Sequence, residues 1–454
     1  EYYEKAADHA AAAFAIHEAI ALCEQALATL KHGDESDLPQ RAAALHVKLA
    51  GLYMPLSDFD SAHTEYAQAA EIIRDQNDEA GEGAALAGMA LASFFAHEFE
   101  RSDRESQQAV ELGRAANAAE VVAAAQCASG WVQAVTGKLS ESRVRFEECH
   151  QTSADANADY FTSLSASMLS QLDNWQGNYT RSVSEAREGV EVARDANHAL
   201  PLLVGLWSAG LPHAGKGEYE DALAIWTEAL ALAEKVGDVI FRNRVLNSLG
   251  WVHGECGNIE YAIELNERGL DFSQLRGDPE VIANCELNLG DVFLAKGDRQ
   301  LAREFFSKAH AIVNNPSTSD WARWRYSQHM LVGYGETCLA LDDPKKAEEW
   351  ANQCLDLATD TDSKKYLVRG WRLKAGIGVA RLQWQDAEEA LRKALAYAEQ
   401  IGNPTQLWRT QLAFSQLYSD TNRIDQSRSA ARAARTVLDA MAAGLKTPAL
   451  REAF

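Results

Sequence analysis

A six-residue motif returns every 40 residues along most of the chain. It starts at Gly177 (GNYTRS), Gly217 (GEYEDA), Gly257 (GNIEYA) and Gly297 (GDRQLA), and related starts stand at Phe14, Ser57, His97, Gly137, Asp342, Leu382 and Asn422. The step departs from 40 twice, with 43 residues after Phe14 and 45 before Asp342. A fixed period of this length is typical of an array in which one structural unit stacks on the next.

Each motif lies between two stretches that read as α-helices. In the best example, residues 242–256 precede the motif and residues 259–273 follow it. Ile259, Ala262, Ile263 and Leu270 repeat at helical spacing and form one apolar stripe. Glycine at the motif start can adopt the positive φ that ends a helix, and the Asn or Asp after it can cap the next helix. The sequence therefore predicts an all-α protein of about eleven antiparallel helix pairs.

Small residues recur on both sides of the turn. Glycine stands seven residues before it at positions 130, 210, 250, 290 and 335, and alanine stands five residues after it at positions 62, 222, 262, 302, 347 and 387. Because a missing or short side chain lets two helices approach closely, we expect these positions to lie where the helices of a pair touch.

The Leu–Gly spacing in SLGWVHGECGNIEYA and NLGDVFLAKGDRQLA resembles the tetratricopeptide (TPR) consensus. Gly250 and Gly290 match its small first-helix position, and Ala262 and Ala302 its second-helix one. The resemblance implies a right-handed TPR superhelix, an α-solenoid, running continuously over 1–454. It has an irregular junction at 314–320 and a capping segment at 442–454. Because 40 exceeds the usual TPR period of about 34, we expect the first helix of each pair to be extended by more than one turn.

Composition excludes several functional classes. The net charge of −23 argues against direct nucleic-acid binding and against an anionic membrane surface. The longest apolar run, 84–96, is too short to span a bilayer. Seven cysteines without a CxxC pair indicate buried thiols in a reducing cytoplasm. Because the chain begins at Glu1 rather than Met, we expect it to be a fragment of a longer protein.

Residues 200–454 also resemble a narrower group. The stretches TSDWARWRYSQH, KKYLVRGWRLKAG and IGNPTQLWRTQLA are similar to the TPR tails of bacterial signalling proteins. That group includes STAND-type signal-transduction ATPases, cyclase-linked ATPases and maltose-activator-like transcription regulators. The resemblance implies a sensor or partner arm attached to an ATPase that is not part of this chain.

No catalytic motif is present. The sequence lacks GxxxxGK[ST], HExxH and GxSxG, and nothing in it calls for a cofactor or a metal. We therefore expect a non-enzymatic scaffold that binds a protein or peptide in its concave groove. A small-ligand receptor and a homo-oligomerisation arm are the alternatives. A receptor needs a closed pocket with convergent polar groups, whereas a scaffold needs a long open groove.

The TPR register assigns groove positions on the first helices of pairs six to eleven. They are Trp207, Arg244, Asn247, Trp251, Asn284, Asn288, Asp291, His329, Arg369, Arg372 and Arg409, to which Arg325 and Lys365 are added because they share the same face. Asparagine can grip a peptide backbone through donor and acceptor together. Trp207 and Trp251 can instead simply pack between helices, and His329 can be an ordinary packed histidine.

The first helix of pair ten is strongly basic. Residues 363–381 carry six Lys and Arg and no acid. Two interpretations stay open for Arg369 and Arg372. They bind an acidic partner, or they pair within the array with Asp356, Asp360 and Asp362.

Overall fold

The computed structural model describes residues 2–12, 15–30, 37–56, 58–276, 279–315 and 322–454. Within them the chain forms 23 α-helices and no β-strand, which confirms the all-α prediction. The helices are α1 (Tyr2–Ala12), α2 (Ile16–Leu30), α3 (Leu38–Tyr53), α4 (Phe59–Arg74), α5 (Glu79–Phe95), α6 (Phe99–Ala115), α7 (Ala119–Val135), α8 (Leu139–Asp155), α9 (Asp159–Gln176), α10 (Tyr179–Asp195), α11 (Ala199–Gly215), α12 (Tyr219–Val236), α13 (Val239–Glu255), α14 (Ile259–Arg276), α15 (Pro279–Lys296), α16 (Arg299–Val313), α17 (Ser327–Ala340), α18 (Pro344–Asp360), α19 (Lys364–Ala380), α20 (Trp384–Ile401), α21 (Pro404–Asp420), α22 (Ile424–Gly444) and α23 (Pro448–Ala453).

Two short helical turns supplement them, a 3₁₀ turn at Met54–Leu56 and a π-type turn at Ala322–Tyr326. The motif starts Phe14 and Ser57, and residues 316–320 of the irregular junction, lie outside the described residues. None of the helices in the described part of the chain combines the length and hydropathy needed to cross a bilayer.

A residue with positive φ closes the first helix of nearly every pair. Such residues stand at the motif starts His97, Gly137, Gly177, Gly217, Gly257, Gly297, Asp342, Leu382 and Asn422, and again between pairs at Asn77, Asn117, Asn157, Asn197, Gly237, Asp362 and Gly402. The repeat is therefore built from two equal halves of about 20 residues. The expected extension is not confined to the first helix, because the first and second helices of the pairs α5–α6 and α7–α8 have the same length. All four helices from α5 to α8 have 17 residues.

The small residues lie where the helices of a pair touch, as predicted. A Cβ added at Gly130 would lie 2.9 Å from the ring of Phe146, and one at Gly290 would lie 2.8 Å from Phe306. At Gly210 the distance to the Trp226 indole would be only 2.2 Å. The six recurring alanines are all fully buried, with no exposed surface.

Contacts divide the chain into two compact units, residues 1–166 and 167–454, with the boundary inside α9. In the first unit the helices stack in sequence around a core rich in alanine. The single continuous solenoid over 1–454 stays a prediction. All seven cysteines are buried and none forms a disulfide, as expected from their spacing.

In the second unit, the early helices contact the late ones directly. The hydroxyl groups of Tyr219 and Thr405 lie 2.6 Å apart, and the Asn403 amide donates to the Tyr179 hydroxyl at 3.2 Å. Farther along, the Arg409 guanidinium lies 3.0 Å from the Glu255 carboxylate. Because these bonds join α10, α12 and α13 to α21, the second unit closes on itself.

The C-terminal segment adds to this closure. Leu445 and Leu450 are buried in the same apolar cluster as Trp226, and the Phe454 ring meets Tyr219 edge to face at 6.5 Å. The backbone N–H of Thr447 donates to Glu220 at 3.1 Å. Residues 445–454 thus cover the turns of earlier repeats in the second unit.

The glycine contacts generate a stability prediction. Gly210→Ala should lower the free energy of unfolding by about 1–3 kcal/mol, because the added methyl group overlaps the rigid, buried Trp226 indole. Gly51→Ala in α3 is the control, since no atom lies within 4 Å of the added Cβ there. That substitution should be neutral or stabilise by up to about 1 kcal/mol. Equal urea midpoints for the two variants would contradict the assigned helix contact.

Candidate functional site

The second unit contains a partly open cavity of about 140 Å³. Its wall is formed mainly by the first helices of pairs five to ten, α9, α11, α13, α15, α17 and α19, together with Tyr179 and Asn403. A larger cleft of about 530 Å³ lies along the turns 177–181 and 400–402, but it is open and lined mostly by turn residues. The smaller cavity brings polar and aromatic side chains together from many repeats, so it is the stronger candidate site.

Four asparagines form a hydrogen-bonded cluster at this wall. The Asn247 amide donates to the side-chain oxygen of Asn266 at 3.0 Å, and Asn284 donates to the Asn247 oxygen at 2.5 Å. Asn288 donates to the Asn266 side chain and to the backbone carbonyl of Asn247, each at 3.2 Å. Because each amide fixes the next, Asn284 and Asn288 are held in place at the cavity surface.

Asn266 connects this cluster to the helix packing. It occupies the position that is aromatic in three other pairs, namely Phe146, Trp226 and Phe306, each facing its own glycine. A Cβ on Gly250 would lie 2.3 Å from the Asn266 amide nitrogen. The seventh pair therefore fills its helix contact with a polar side chain, which serves the cavity wall as well.

Glu280 organises a second group of side chains. It forms a two-pronged ion pair with Arg244, at 2.7 and 2.6 Å, and accepts a bond from the Tyr326 hydroxyl at 2.8 Å. Arg325 lies 3.5 Å from the same carboxylate and 5.1 Å from the centre of the Trp175 ring. Burial raises the pKa of Tyr326, which keeps its hydroxyl protonated as a donor to Glu280.

A third group surrounds Asp291. The carboxylate lies 2.7 Å from Nε2 of His329 and 3.4 Å from Arg369, which also pairs with Glu336 at 2.9 Å. Burial alone would raise the pKa of Asp291, but Arg369 and His329 outweigh it and hold that pKa well below its usual value. Since Arg369 is only 6% exposed, its charge is balanced inside the protein.

The other two arginines of the predicted groove also have internal partners. Arg372 donates to the Gln406 side chain at 3.0 Å, and Arg409 pairs with Glu255. The sequence suggested three aspartates of the preceding segment as counter-ions, but neither Arg369 nor Arg372 pairs with them. Asp356, Asp360 and Asp362 lie on α18 and the following turn, and Asp362 pairs with Lys364 instead. The actual partners come from other helix pairs, at a sequence distance that no local pattern can reveal.

Lys365 differs from these arginines. Its ammonium lies 4.7 Å from the centre of the Trp251 ring and lines the cavity. Among the described residues no carboxylate lies within ion-pair distance of it. Burial, reinforced by nearby Arg369, lowers the pKa of Lys365 to about 8.

The structure thus separates the thirteen predicted groove residues into two sets. Seven line the cavity, namely Asn247, Trp251, Asn284, Asn288, Arg325, His329 and Lys365. The other six do not line it, namely Trp207, Arg244, Asp291, Arg369, Arg372 and Arg409. Trp207 is 6% exposed and packs between helices, and its indole N–H donates to Ser248. A binding role for any of them stays a prediction.

The sequence reasoning missed several wall residues. Trp175, Tyr179, Ser363, Tyr366 and Asn403 line the cavity. Tyr179 lies on a second helix and Asn403 is a helix cap, so the TPR register of first-helix positions does not include them. Asn266 gives a sequence signal of its own, because it is a polar residue at a position that is aromatic in the fourth, sixth and eighth pairs.

One group of three side chains could offer metal ligands in the described part of the chain. His213, Glu218 and Asp221 have donor atoms within 4.8 Å of one another. Glu218 already pairs with Lys216 and His213, each at 2.6 Å, and the ammonium competes with any cation. We assign no metal to this group.

Comparisons with known proteins agree with this architecture. Residues 156–443 match a family model described as MalT-like TPR region. No curated protein matches the chain in sequence.

Among solved structures, a Rap protein complexed with competence and sporulation factor is 12% identical, with a TM-score of 0.61, and the match covers 81% of this chain and 100% of that one. The Rap conjugation gene regulator of plasmid pLS20, in complex with a Phr peptide, is 12% identical, with a TM-score of 0.52 and coverage of 81% and 98%. A STAND protein with a tetratricopeptide repeat sensor from Pyrococcus horikoshii is 14% identical, with a TM-score of 0.49 and coverage of 80% and 54%. At these identities the two Rap structures show the fold alone.

The buried ion pairs lead to a test. Arg369→Glu should lower the free energy of unfolding by about 3–5 kcal/mol, because it places a third carboxylate beside Asp291 and Glu336. The control is Arg435→Glu, which reverses an arginine that is 81% exposed and should cost little. Urea denaturation of the full chain measures both. If Arg369→Glu unfolds like the control, the internal pairing is wrong.

Proposed function

Because this chain belongs to the family of MalT-like TPR regions, we propose that it is a non-catalytic sensor whose second unit binds a small polar ligand in its interior. The TPR solenoid supplies the frame, and the first helices supply the binding surface. The observation that carries the proposal is the cavity of the second unit, on which polar groups from several first helices converge.

The closure favours a receptor over an open scaffold. Contacts such as Tyr219 to Thr405 and Arg409 to Glu255 join early and late helices of the second unit, so the interior is not a long open groove. The cavity of about 140 Å³ is smaller than the ≈ 300–1,000 Å³ typical of sites for drug-sized ligands. It fits a small polar molecule or the end of a longer one.

The wall chemistry supports a polar ligand. Asn284 and Asn288 each offer an amide that can donate and accept hydrogen bonds. Trp175 and Trp251 add flat apolar surface, and Arg325 and Lys365 add positive charge. Such a mixture of oriented polar groups and aromatic faces is typical of small-ligand pockets.

A short peptide is the second candidate. The two Rap structures named above contain competence and sporulation factor and a Phr peptide, respectively, and they share this fold. A peptide would use the same asparagines through its backbone. It needs more space than the cavity offers, so the contacts between α10–α13 and α21 would have to separate on binding.

The regulatory setting follows from the same premise. We propose that the chain is the sensing arm of a larger bacterial signalling ATPase in the cytoplasm and that ligand binding changes the state of the attached domain. A protein partner with an acidic segment and a homo-oligomerisation role remain weaker alternatives, since Arg369, Arg372 and Arg409 already have internal partners.

A thermal-shift assay on the full chain tests the proposal. The probes are glucose, glycine, succinate, inorganic phosphate, trialanine and hexaalanine. At a concentration 100 times the dissociation constant, a bound probe stabilises by about 2.7 kcal/mol, which is easily measured. Asn284→Leu should abolish the stabilisation, because it removes the cavity amide and keeps the side-chain volume.

Asn352→Leu is the matched control. Asn352 is an exposed residue of α18, away from the cavity, so its loss should leave the response unchanged. A response to hexaalanine alone would favour the peptide candidate. If no probe stabilises the chain, or if Asn284→Leu responds like the wild type, the proposed cavity is not the binding site.

A further inference from the structure

Helix α19 begins at the cavity wall with an unused capping group. Its N-cap residue, Ser363, lines the cavity and is only 7% exposed. The Ser363 side chain makes no capping bond, and no other hydrogen bond of its hydroxyl is present among the described residues. By contrast, Asp238 and Asn403 cap α13 and α21 through bonds to Phe241 N and Gln406 N. The Ser363 hydroxyl is therefore available to a group inside the cavity.

The start of α19 also favours negative charge. The N-terminus of a helix carries partial positive charge and unpaired N–H groups, and it attracts anions. Lys365 lies in this first turn, where a cation is unfavourable for the helix itself. Its ammonium is without a carboxylate partner in the described part of the chain and faces the same cavity. Local helix stability does not explain a lysine at this position.

The charges around Lys365 are otherwise balanced by one another. Glu255 pairs with Arg409, and Asp291 is held between His329 and Arg369. Arg244 and Arg325 lie beside Glu280, and Arg369 also pairs with Glu336. Among the described residues, Lys365 is thus the basic side chain of the cavity lining that has no carboxylate within ion-pair distance.

We propose that Ser363, Lys365 and the N-terminus of α19 form an anion site that takes a carboxylate or phosphate group of the cavity's ligand. The inference rests on the proposed receptor function and narrows its ligand class. Lys365 supplies the charge, and the Ser363 hydroxyl donates to an anionic oxygen. Trp251 and Asn288 contact the remainder of the ligand.

Binding should depend on pH in one direction. The ammonium form of Lys365 binds the anion, and the pKa of Lys365 in the free protein is lowered to about 8. Arg369 and Arg409 lower this pKa, whereas Glu255 and Asp291 raise it. Anion affinity should therefore be highest below pH 8 and fall as pH rises through that value, and bound anion should shift the Lys365 pKa upward.

Calorimetric titration of the full chain with succinate, inorganic phosphate, trialanine and trialanine amide tests the site. Wild type should bind at least one anionic probe, and Lys365→Met should weaken that binding at least tenfold. Lys393→Met is the control, because Lys393 also lies over a tryptophan, at 4.4 Å from the Trp371 ring, but on α20 outside the cavity. Trialanine has a terminal carboxylate and trialanine amide does not. Binding of trialanine but not of its amide therefore identifies a peptide carboxylate as the ligand group, whereas binding of succinate or phosphate alone identifies a free acid or a phosphate.

A second measurement separates binding from folding. Because burial disfavours the charged form of Lys365, Lys365→Met should not lower the melting temperature, whereas a merely structural lysine would. NMR of ¹³C-methylated lysines, with the Lys365 resonance assigned from Lys365→Arg, reports the pKa with and without probe. An unchanged pKa in the presence of a bound anion overturns the site.

Two further outcomes overturn the anion site. Equal anion binding by Lys365→Met and wild type does so. Binding of glucose or trialanine amide, neither of which has an anionic group, also overturns it if that binding requires Asn284 and no anionic probe binds. The proposed receptor function stands in that case. If none of these probes binds, the anion site and the proposed receptor function both fail.

Discussion

The close approach of two helices at a glycine is the constraint on which the rest of this structure depends. At Gly130, Gly210 and Gly290 an aromatic ring from the second helix lies where a Cβ would stand. This contact sets how the two helices of these pairs meet, and left-handed turns spaced about 20 residues apart recur along the described chain. In the second unit, first helices that are far apart in sequence place side chains around one cavity.

The seventh pair uses the same constraint for a different purpose. Asn266 replaces the aromatic ring opposite Gly250, so the helix contact becomes polar. A buried amide must find hydrogen-bond partners, and Asn266 finds them in Asn247 and Asn288. The packing contact of one pair thereby orients polar groups in the next.

Closure of the second unit removes several charged side chains from water, among them Arg369. Charges removed from water are unfavourable unless they are paired, and the structure pairs Arg369 with Asp291 and Glu336, and Arg244 with Glu280. Such pairs explain how a strongly basic helix is tolerated. Lys365, at the cavity surface, has no such carboxylate partner among the described residues. Because its charge does not support folding, a ligand is the better explanation for it.

The sequence by itself determined the all-α repeat, the places of the turns and the small residues at the helix contacts, because these depend on spacing along one chain. It also selected seven cavity residues, five of them, such as Asn284, through the repeat register and two, Arg325 and Lys365, through a shared helix face. Only the tertiary structure decided that the second unit closes on itself, which partners Arg369 and Arg409 take, and that Tyr179 and Asn403 join the wall. The closure depends on contacts between helices more than 150 residues apart, such as Arg409 with Glu255, and the partners of Arg369 lie 33 and 78 residues away from it. No periodicity within a single repeat encodes how far the second unit turns before its early and late helices meet.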